Sequence, residues 1–135
     1  MDTIIESFTG ENAFMSSSYV APIRIGYITY VCVESAYQAF RIEDTSLRGM
    51  FAHMHAKEAK AVGRLVQPRD DWDNVKHEIL YQLTLEKFKQ NNALAMKLLQ
   101  TGDTEIREEN LGHILMSIRN DFKKVASVYM MQLQL

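Results

Sequence analysis

Apolar residues recur at helical spacing along most of the chain, and this pattern predicts a mainly helical protein. A short, clear example is VESAYQAF, residues 33–40. Its apolar side chains follow the i, i+3, i+4, i+7 spacing that places one buried stripe on a helix: Val33, Ala36, Tyr37 and Phe40. Glu34 and Gln38 lie four residues apart beside that stripe, and Arg41 extends their row. This segment therefore combines a core-facing side with a short polar row.

Helix-ending signals divide the middle of the chain. The segment TSLRGMFAHMHAKEAKAVG predicts one or two helices. Thr45 or Ser46 would be the N-cap of this segment, and Gly63 would be its C-terminal stop. A loop that contains Pro68 follows, because proline cannot continue a helix.

Three more helices are predicted beyond this loop. The first is long, with Asp70 or Asp71 as its cap, and its apolar stripe consists of Trp72, Val75, Ile79 and Leu83. NNALAMKLLQTG is a further short helix that Gly102 can end. The last helix begins near Asn110 and carries an apolar face made of Leu111, Ile114, Leu115, Ile118, Phe122, Val125 and Tyr129.

The start of the chain carries the signals for β-structure. TIIESF is predicted to be a short strand, and GENAFMSSSY is predicted to be a polar loop. PIRIGYITYV, residues 22–31, predicts two short strands that bend around Gly26-Tyr27. No linker interrupts the sequence, so we expect a single domain over residues 1–135. Its predicted fold class is α+β, mainly helical with a small N-terminal β element.

Composition excludes several classes of protein. Hydrophobic residues make up 47% of the 135 residues and charged residues 24%, which is typical of a globular domain. With a net charge of −2, no broad attraction to nucleic acid or to a membrane is expected. Cys32 is the single cysteine, and MDTIIESF lacks the pattern of a secretory signal. A reducing, cytoplasmic location is therefore the expectation.

Glu34 is the first candidate for chemistry. It follows an apolar, strand-like run and opens a predicted helix. The helix dipole favours a carboxylate at this position, which is a purely structural reason for its presence. Alternatively Glu34 is a site residue, and Gln38 and Arg41 on the same face bind a polar ligand with it.

Asp71-Trp72 followed by Lys76 is the second candidate. Trp72 and Lys76 lie four residues apart on one helix face, and an indole beside an ammonium suits a flat anionic ligand such as a nucleotide. The structural alternative has Trp72 in the core, Asp71 as a cap and Lys76 in solvent. The four histidines lack the spacing of zinc ligands, so neither a metal nor a cofactor is predicted.

Taken together, these segments resemble the NADAR family, also called YbiA-like. The similar region runs from Phe8 to Arg119 and includes Phe8 and Gly10, FMSSSY, Pro22-Ile23 and VESAYQAF. It continues through Gly63-Arg64, RDDW with Lys76, KFKQN, LLQTGD and NLGHILMSIR. The order and spacing of these pieces carry the resemblance.

The resemblance implies a compact, mainly helical α+β fold and hydrolysis of N-glycosidic bonds. It implies a ligand that is a phosphorylated riboside, such as a pyrimidine intermediate of the riboflavin pathway, or an ADP-ribosyl group on guanine. Glu34 corresponds to the glutamate of the family's Val-Glu-His-Ala-Tyr-Gln-Ala motif and would be the catalytic carboxylate. Trp72 and Lys76 fall on the family's Asp-Trp…Lys motif and would bind the substrate.

Four further residues complete the predicted substrate site. Gln38 and Arg41 share the helix face of Glu34, and Arg41 would hold an anionic group together with Lys76. Arg64 or Arg69 would assist in holding the same anionic part of the substrate. Seven residues therefore form the predicted site: Glu34, Gln38, Arg41, Arg64, Arg69, Trp72 and Lys76.

The sequence departs from the family pattern near its C-terminal third. The family places a Phe/Trp-Trp-Gly segment and a glycine-containing loop between its Thr-Gly-Asp and Asn-x-Leu-Gly motifs. Here only TEIREE, residues 104–109, joins Asp103 to Asn110, and Trp72 is the single tryptophan. Ser35 also stands where histidine is common. An N-glycosidase and a catalytically inactive binding or interaction module both fit this pattern. The apolar end YMMQLQL suits an oligomer interface as well as a core ending.

Overall fold

The computed structural model of the protein describes residues 3–133, and helices dominate them. One two-stranded sheet accompanies the helices, which confirms the predicted α+β class with its small N-terminal β element. The described residues group into two compact units, one formed by 16–91 and the other by 3–15 with 92–133. The single domain over 1–135 stays a prediction, and each unit is described by itself.

The unit 16–91 begins with the predicted hairpin. Strand β1 is Ile23–Ile25 and strand β2 is Ile28–Tyr30, and they pair antiparallel. Gly26 has a φ of +64°, a left-handed conformation that glycine adopts without steric cost. The two-residue turn Gly26-Tyr27 is therefore the bend that the sequence predicts.

Three α-helices and one 3-10 helix follow in this unit. Helix α1 is Val33–Phe40, helix α2 is Ala56–Gly63 and helix α3 is Trp72–Gln90. The 3-10 helix Thr45–Phe51 lies between α1 and α2 in the chain. The predicted helical segment from residue 45 to 63 is thus divided, and Gly63 ends it as expected.

Two predicted caps need correction. The 3-10 helix is capped by Asp44, whose carboxylate accepts a hydrogen bond from the Ser46 backbone N–H at 2.9 Å, so neither Thr45 nor Ser46 is the N-cap. Asp71 does occupy the N-cap position of α3, but its carboxylate makes no capping hydrogen bond. Both of its oxygens accept from Arg69 instead.

Helix α1 lies at the centre of the core of this unit. Its buried residues include Val33, Ala36 and Ala39, and the small alanine side chains let neighbouring helices approach closely. Helix α2 contributes the buried Ala59, and α3 contributes Leu83. The polar residues of α1, Glu34 and Gln38, therefore lie at the edge of this packed core.

The other unit differs from prediction at its N-terminal end. TIIESF forms no strand: only Ile5 makes a parallel bridge, with Ile106. GENAFM is a 3-10 helix, Gly10–Met15, rather than a polar loop. Phe14 and Met15 are buried, so the apolar end of this segment packs into the protein interior.

Helices α4, Asn92–Gln100, and α5, Gly112–Leu133, complete this unit and pack on each other. The short TEIREE connection between them is ordered by Ile106, which is buried and bridged to Ile5. A β-carbon on Gly112 would collide with the Ile106 carbonyl oxygen. Glycine is therefore needed where α5 begins, because the connection passes directly against it.

Helix α5 is buried only in its first half. Leu115 and Ile118 are buried, whereas Val125 and Tyr129 are exposed, although they continue the predicted apolar face. Gln134 and Leu135, the end of the YMMQLQL segment, lie outside the described residues, as do Met1 and Asp2. Oligomerisation through α5 stays a prediction. No helix between residues 3 and 133 is long and apolar enough to cross a membrane.

Candidate functional site

Glu34 lies in the first turn of α1, with its side chain only 13% exposed. The local sequence builds this helix start in two ways. Ser35 and Cys32 form a reciprocal cap, in which the Ser35 hydroxyl oxygen accepts from the Cys32 backbone N–H at 3.3 Å, and the same hydroxyl donates to the Cys32 carbonyl at 2.8 Å. The Glu34 backbone N–H donates to the Ser17 carbonyl at 3.0 Å. The backbone that carries the carboxylate is therefore fixed on both sides.

Each carboxylate oxygen of Glu34 has its own partner. The Gln38 side-chain amide donates to Oε2 at 3.1 Å, one helical turn further along α1. The Lys60 ammonium of α2 lies 3.8 Å from Oε1. Two neighbouring helices thus hold one carboxylate from two directions.

Burial raises the pKa of the Glu34 carboxyl above its ordinary value. The Gln38 hydrogen bond and the Lys60 charge act in the opposite direction and limit the rise. A carboxylate whose conjugate acid has a raised pKa is a stronger base than an exposed glutamate. This electrostatic state suits general acid–base chemistry.

Tyr37 and Trp72 form the aromatic part of this region. Their ring centroids are 5.0 Å apart and the rings are tilted by 56°. Trp72 is buried, and Tyr37 is partly buried. Burial, followed by the nearby Glu34 charge, raises the pKa of Tyr37. Trp72 therefore packs against Tyr37 as a buried ring, and this arrangement differs from an exposed ring that stacks on a ligand.

Arg41 extends the polar row of α1, but its guanidinium is used within the protein. Its Nη1 donates to the carbonyl oxygens of Gly63 and Val66 in the segment that follows α2. The Arg41 carbonyl accepts a hydrogen bond from the Arg69 N–H at 2.9 Å. Arg41 thus holds the loop between α2 and α3 against α1.

Two other predicted cations also have protein partners. Arg69 forms a bidentate ion pair with Asp71. Lys76 pairs with Asp73 at 3.3 Å, where the Asp73 side chain is 92% exposed. Within residues 3–133, Lys76 makes no described contact with Trp72 or Glu34. The structure therefore brings Gln38 to Glu34 but does not bring Lys76 to them.

Arg64 follows the last residue of α2 and is exposed. Its guanidinium has no ion pair or hydrogen bond in the part of the chain that the structure describes. Lys60 and Arg64 lie four residues apart, so they share one face of this short helix segment. Of the predicted cations, Arg64 is the one whose side chain is available to an anionic ligand.

Two residues near Glu34 were not predicted from the sequence to interact with it. Lys60 lies in a solvent-facing part of α2, and only the packing of α2 on α1 reveals that it faces Glu34. Tyr37 was predicted to join the apolar stripe of α1, and it does. Its place in that stripe gives no sign that the Glu34 charge raises its pKa. No periodic signal in a single sequence could have identified either contact.

Lys87 is a third residue that the sequence analysis missed. It is a buried lysine of α3, and its Nζ donates to the Ser16 carbonyl at 2.9 Å. The Tyr19 ring lies 5.7 Å from the same atom. Burial lowers the pKa of Lys87 to about 8. Lys87 thus holds Ser16 in place, and the carbonyl of the following residue, Ser17, accepts the hydrogen bond from the Glu34 backbone N–H.

No cluster of three or more His, Cys, Asp or Glu side chains that could hold a metal ion occurs among residues 3–133. The absence of a metal and of a cofactor stays a prediction, as do the site roles of the seven residues. Whether Glu34 faces a ligand-binding cleft also stays a prediction.

Comparison with known proteins identifies the family to which the chain belongs. Over 122 aligned residues the chain is 30% identical to an N-glycosidase of Nostoc punctiforme, and the alignment covers 73% of this chain and 78% of that protein. It is 28% identical to a riboflavin biosynthesis protein of Vibrio vulnificus over 143 aligned positions. That alignment covers 90% of this chain but 38% of the Vibrio protein, so the chain spans well under half of that relative's length.

The fold has a counterpart among solved structures. The NMR structure of the E. coli protein YbiA superimposes with a TM-score of 0.81 at 24% sequence identity, covering 93% of this chain and 88% of YbiA. The model of the NADAR domain matches residues 5–110, which include Glu34 and every other predicted site residue. The chain therefore belongs to the NADAR domain family.

Proposed function

We propose that the protein is an N-glycosidase that hydrolyses the bond between C1′ of a ribose and a nitrogen atom, with Glu34 as the catalytic carboxylate. The observation that carries the proposal is the state of that carboxylate: 13% exposed, fixed by Gln38 and faced by Lys60. Membership of the NADAR domain family and the name of the Nostoc punctiforme relative support the same reaction class.

The chemistry follows from what the carboxylate can do. As the C1′–N bond breaks, its electron pair leaves with the base and positive charge develops on the sugar. A fixed negative charge nearby stabilises that state, and the same carboxylate can accept a proton from the attacking water. The water oxygen bonds to C1′ and a proton passes to the leaving nitrogen. The products are a free base and a ribose with a hydroxyl at C1′.

A phosphate-bearing riboside is the proposed substrate class, with a pyrimidine intermediate of riboflavin biosynthesis and an ADP-ribosylated base as the two candidates. The exposed Arg64 guanidinium supports an anionic substrate, since it is available to bind phosphate oxygens. The name of the Vibrio vulnificus relative, a riboflavin biosynthesis protein, favours the riboflavin intermediate. Arg41, Arg69 and Lys76 have protein partners, so their roles would be to shape the site.

The alternative function is a ligand-binding or interaction module without hydrolase activity. The short connection TEIREE supports it, because the aromatic segment expected there in the family is missing. In that connection Ile106 is buried and bridged to Ile5. This alternative keeps the fold and the Glu34 environment but assigns them to binding alone.

The decisive experiment measures base release in wild type and Glu34→Gln. The substrates are ribosylated pyrimidine phosphates and ADP-ribosylated guanine. Glutamine keeps the shape but removes the charge, so turnover should fall by roughly 10²-fold or more. Glu58→Gln on α2 is the matched control, since Glu58 is exposed, and it should retain full activity.

Two outcomes would contradict the proposal. Full activity in Glu34→Gln would exclude the catalytic role of Glu34. A folded wild-type protein that binds these ligands without releasing base would establish the binding module instead.

A further inference from the structure

The Glu34 carboxylate and the Lys60 ammonium form the described ion pair that joins α1 to α2. Lys60 Nζ lies 3.8 Å from Oε1, while Gln38 occupies Oε2. The two side chains differ in exposure: Lys60 is 47% exposed and Glu34 is 13% exposed. The cation is therefore at the solvent side of the pair, and the carboxylate is at the protein side.

The backbone of α2 brings Lys60 to this position. Lys60 and Gly63 lie about one turn apart on α2, and Gly63 is in direct contact with the Gln38 side chain. Ala59 beside Lys60 is fully buried in the shared core. Close packing of α2 on α1 therefore fixes the backbone of Lys60 beside Glu34, so the ion pair starts from a defined position on each helix.

We propose that Lys60 is a positioning residue for Glu34, whose ammonium group keeps the carboxylate ionised and oriented for the hydrolysis. The inference rests on the proposed function, because a positioning role has meaning only if Glu34 acts on a substrate. The chemical need is clear: a carboxylate that is mostly withdrawn from water tends to take up a proton, and a protonated carboxyl cannot stabilise a cationic sugar.

The other charged groups around α1 do not replace Lys60. Tyr37 lies on α1 and Arg41 directly follows its last residue, but the Arg41 guanidinium is bound to the Gly63 and Val66 carbonyls. From the 3-10 helix, Arg48 lies over the Phe40 ring at 4.5 Å.

Helix α3 presents the uncharged Trp72 to Tyr37, and its Lys76 pairs with Asp73. Lys60 is the cation whose charge lowers the pKa of Glu34, against the larger effect of burial. Removal of the Lys60 charge should therefore raise the pKa of Glu34 further.

The test compares Lys60→Met with Lys57→Met and Lys60→Arg. Lys57 is an exposed lysine of the same helix with no described ion pair, so its substitution removes one charge from α2 without touching Glu34. Two quantities are measured in all variants: the pKa of the Glu34 carboxyl by carbon NMR titration, and the pH dependence of kcat/KM for base release.

The expected result is that Lys60→Met moves both the carboxyl titration and the acid limb of the rate profile to higher pH. Lys57→Met should leave both in place, and Lys60→Arg should restore both. The inference is overturned if Lys60→Met leaves the Glu34 titration unchanged, or if Lys57→Met shifts it equally.

Failure of the proposed function gives a different result. The titration of the Glu34 carboxyl can be measured in an inactive protein. If the wild type is inactive but Lys60→Met shifts this titration, the proposed catalysis is refuted and the electrostatic pairing of Lys60 with Glu34 stands. If the wild type is active and Lys60→Met has the same pH dependence of kcat/KM, the positioning role is refuted and the catalytic role of Glu34 stands.

Discussion

The side-chain amide of Gln38 occupies the space in which a β-carbon on Gly63 would stand. An ideal β-carbon on Gly63 would lie 2.9 Å from Gln38 Cδ and still closer to its Oε1. The same amide donates through Nε2 to Glu34. The glycine at the end of α2 therefore gives Gln38 the room it needs to hold the catalytic candidate.

Gly63→Ala should disturb the Glu34 site far more than it disturbs stability. The added methyl group displaces a flexible side chain, so the free energy of unfolding should change by about 1 kcal/mol or less, as alanine also has the higher helix propensity. The Gln38–Glu34 hydrogen bond should be lost and the pKa of Glu34 should rise further, because that bond lowers it. Urea denaturation and NMR titration of the carboxyl group measure the two effects.

A double-mutant cycle provides the control for this substitution. In a Gln38→Ala background, Gly63→Ala has no amide to displace, so it should leave the Glu34 titration unchanged. An equal shift in both backgrounds would show that Gly63 acts on Glu34 by another route.

Trp72→Ala should destabilise the protein by about 3–5 kcal/mol, since it removes a buried aromatic side chain and its contact with Tyr37. Urea melts followed by far-UV circular dichroism measure the loss. Tyr27→Ala is the matched control, because Tyr27 is an aromatic residue that is 98% exposed, and it should shift the midpoint little. An unchanged midpoint for Trp72→Ala would contradict the core role.

Lys87 should give the protein a distinct dependence on pH. Its pKa in the folded protein is about 8, below the ordinary value of 10.5, because the charged form is buried. Between these two values the unfolded chain binds more protons at Lys87 than the folded chain does. The stability of wild type relative to Lys87→Met should therefore rise as the pH increases from about 8 to 10.5 and stay constant below that window.

The difference between the two proteins isolates Lys87 from the tyrosines, which titrate in both. Urea denaturation at a series of pH values gives the measurement. A constant difference across the window would show that the folded-state pKa of Lys87 is not lowered.

Arg64→Gln should weaken the binding of ADP-ribose by about tenfold or more and leave adenosine binding unchanged, because an available guanidinium binds phosphate oxygens through charge-assisted hydrogen bonds. Calorimetric titration with both ligands is the measurement. Arg69→Gln is the control of equal charge change, and it should have the smaller effect because Arg69 is already paired with Asp71. Equal affinity for both ligands in wild type would exclude an anionic pocket.

Several elements of the fold could be predicted from the amino-acid sequence because their signals are local. The i, i+3, i+4 pattern of VESAYQAF predicted helix α1, and Gly26-Tyr27 predicted the turn of the hairpin. Gly63 ended α2 and Asp71 preceded α3, since helix termini depend on nearby backbone groups. The family resemblance, confirmed by the match over residues 5–110, likewise came from short motifs in a fixed order.

The contacts between polar side chains depend instead on how the helices pack. Gln38 on α1 and Arg41 at its C-terminal end both continue the row of Glu34, yet Gln38 binds the carboxylate while Arg41 binds carbonyl groups of the loop after α2. Lys60 reaches Glu34 only because α2 packs on α1 through small residues. Periodicity reports which face of a helix is apolar, but it contains no information about which neighbour a polar side chain on that helix will find.

The same reason explains the errors at the N-terminal end. TIIESF has the composition of a strand, but a strand needs a partner along its length, and Ile5 finds only Ile106. The 3-10 helix Gly10–Met15 forms because Phe14 and Met15 are buried, although the segment reads locally as a polar loop. Long-range packing decided both outcomes, because hydrogen-bond partners and buried surface are supplied by residues about a hundred positions away in the chain or by the assembled core.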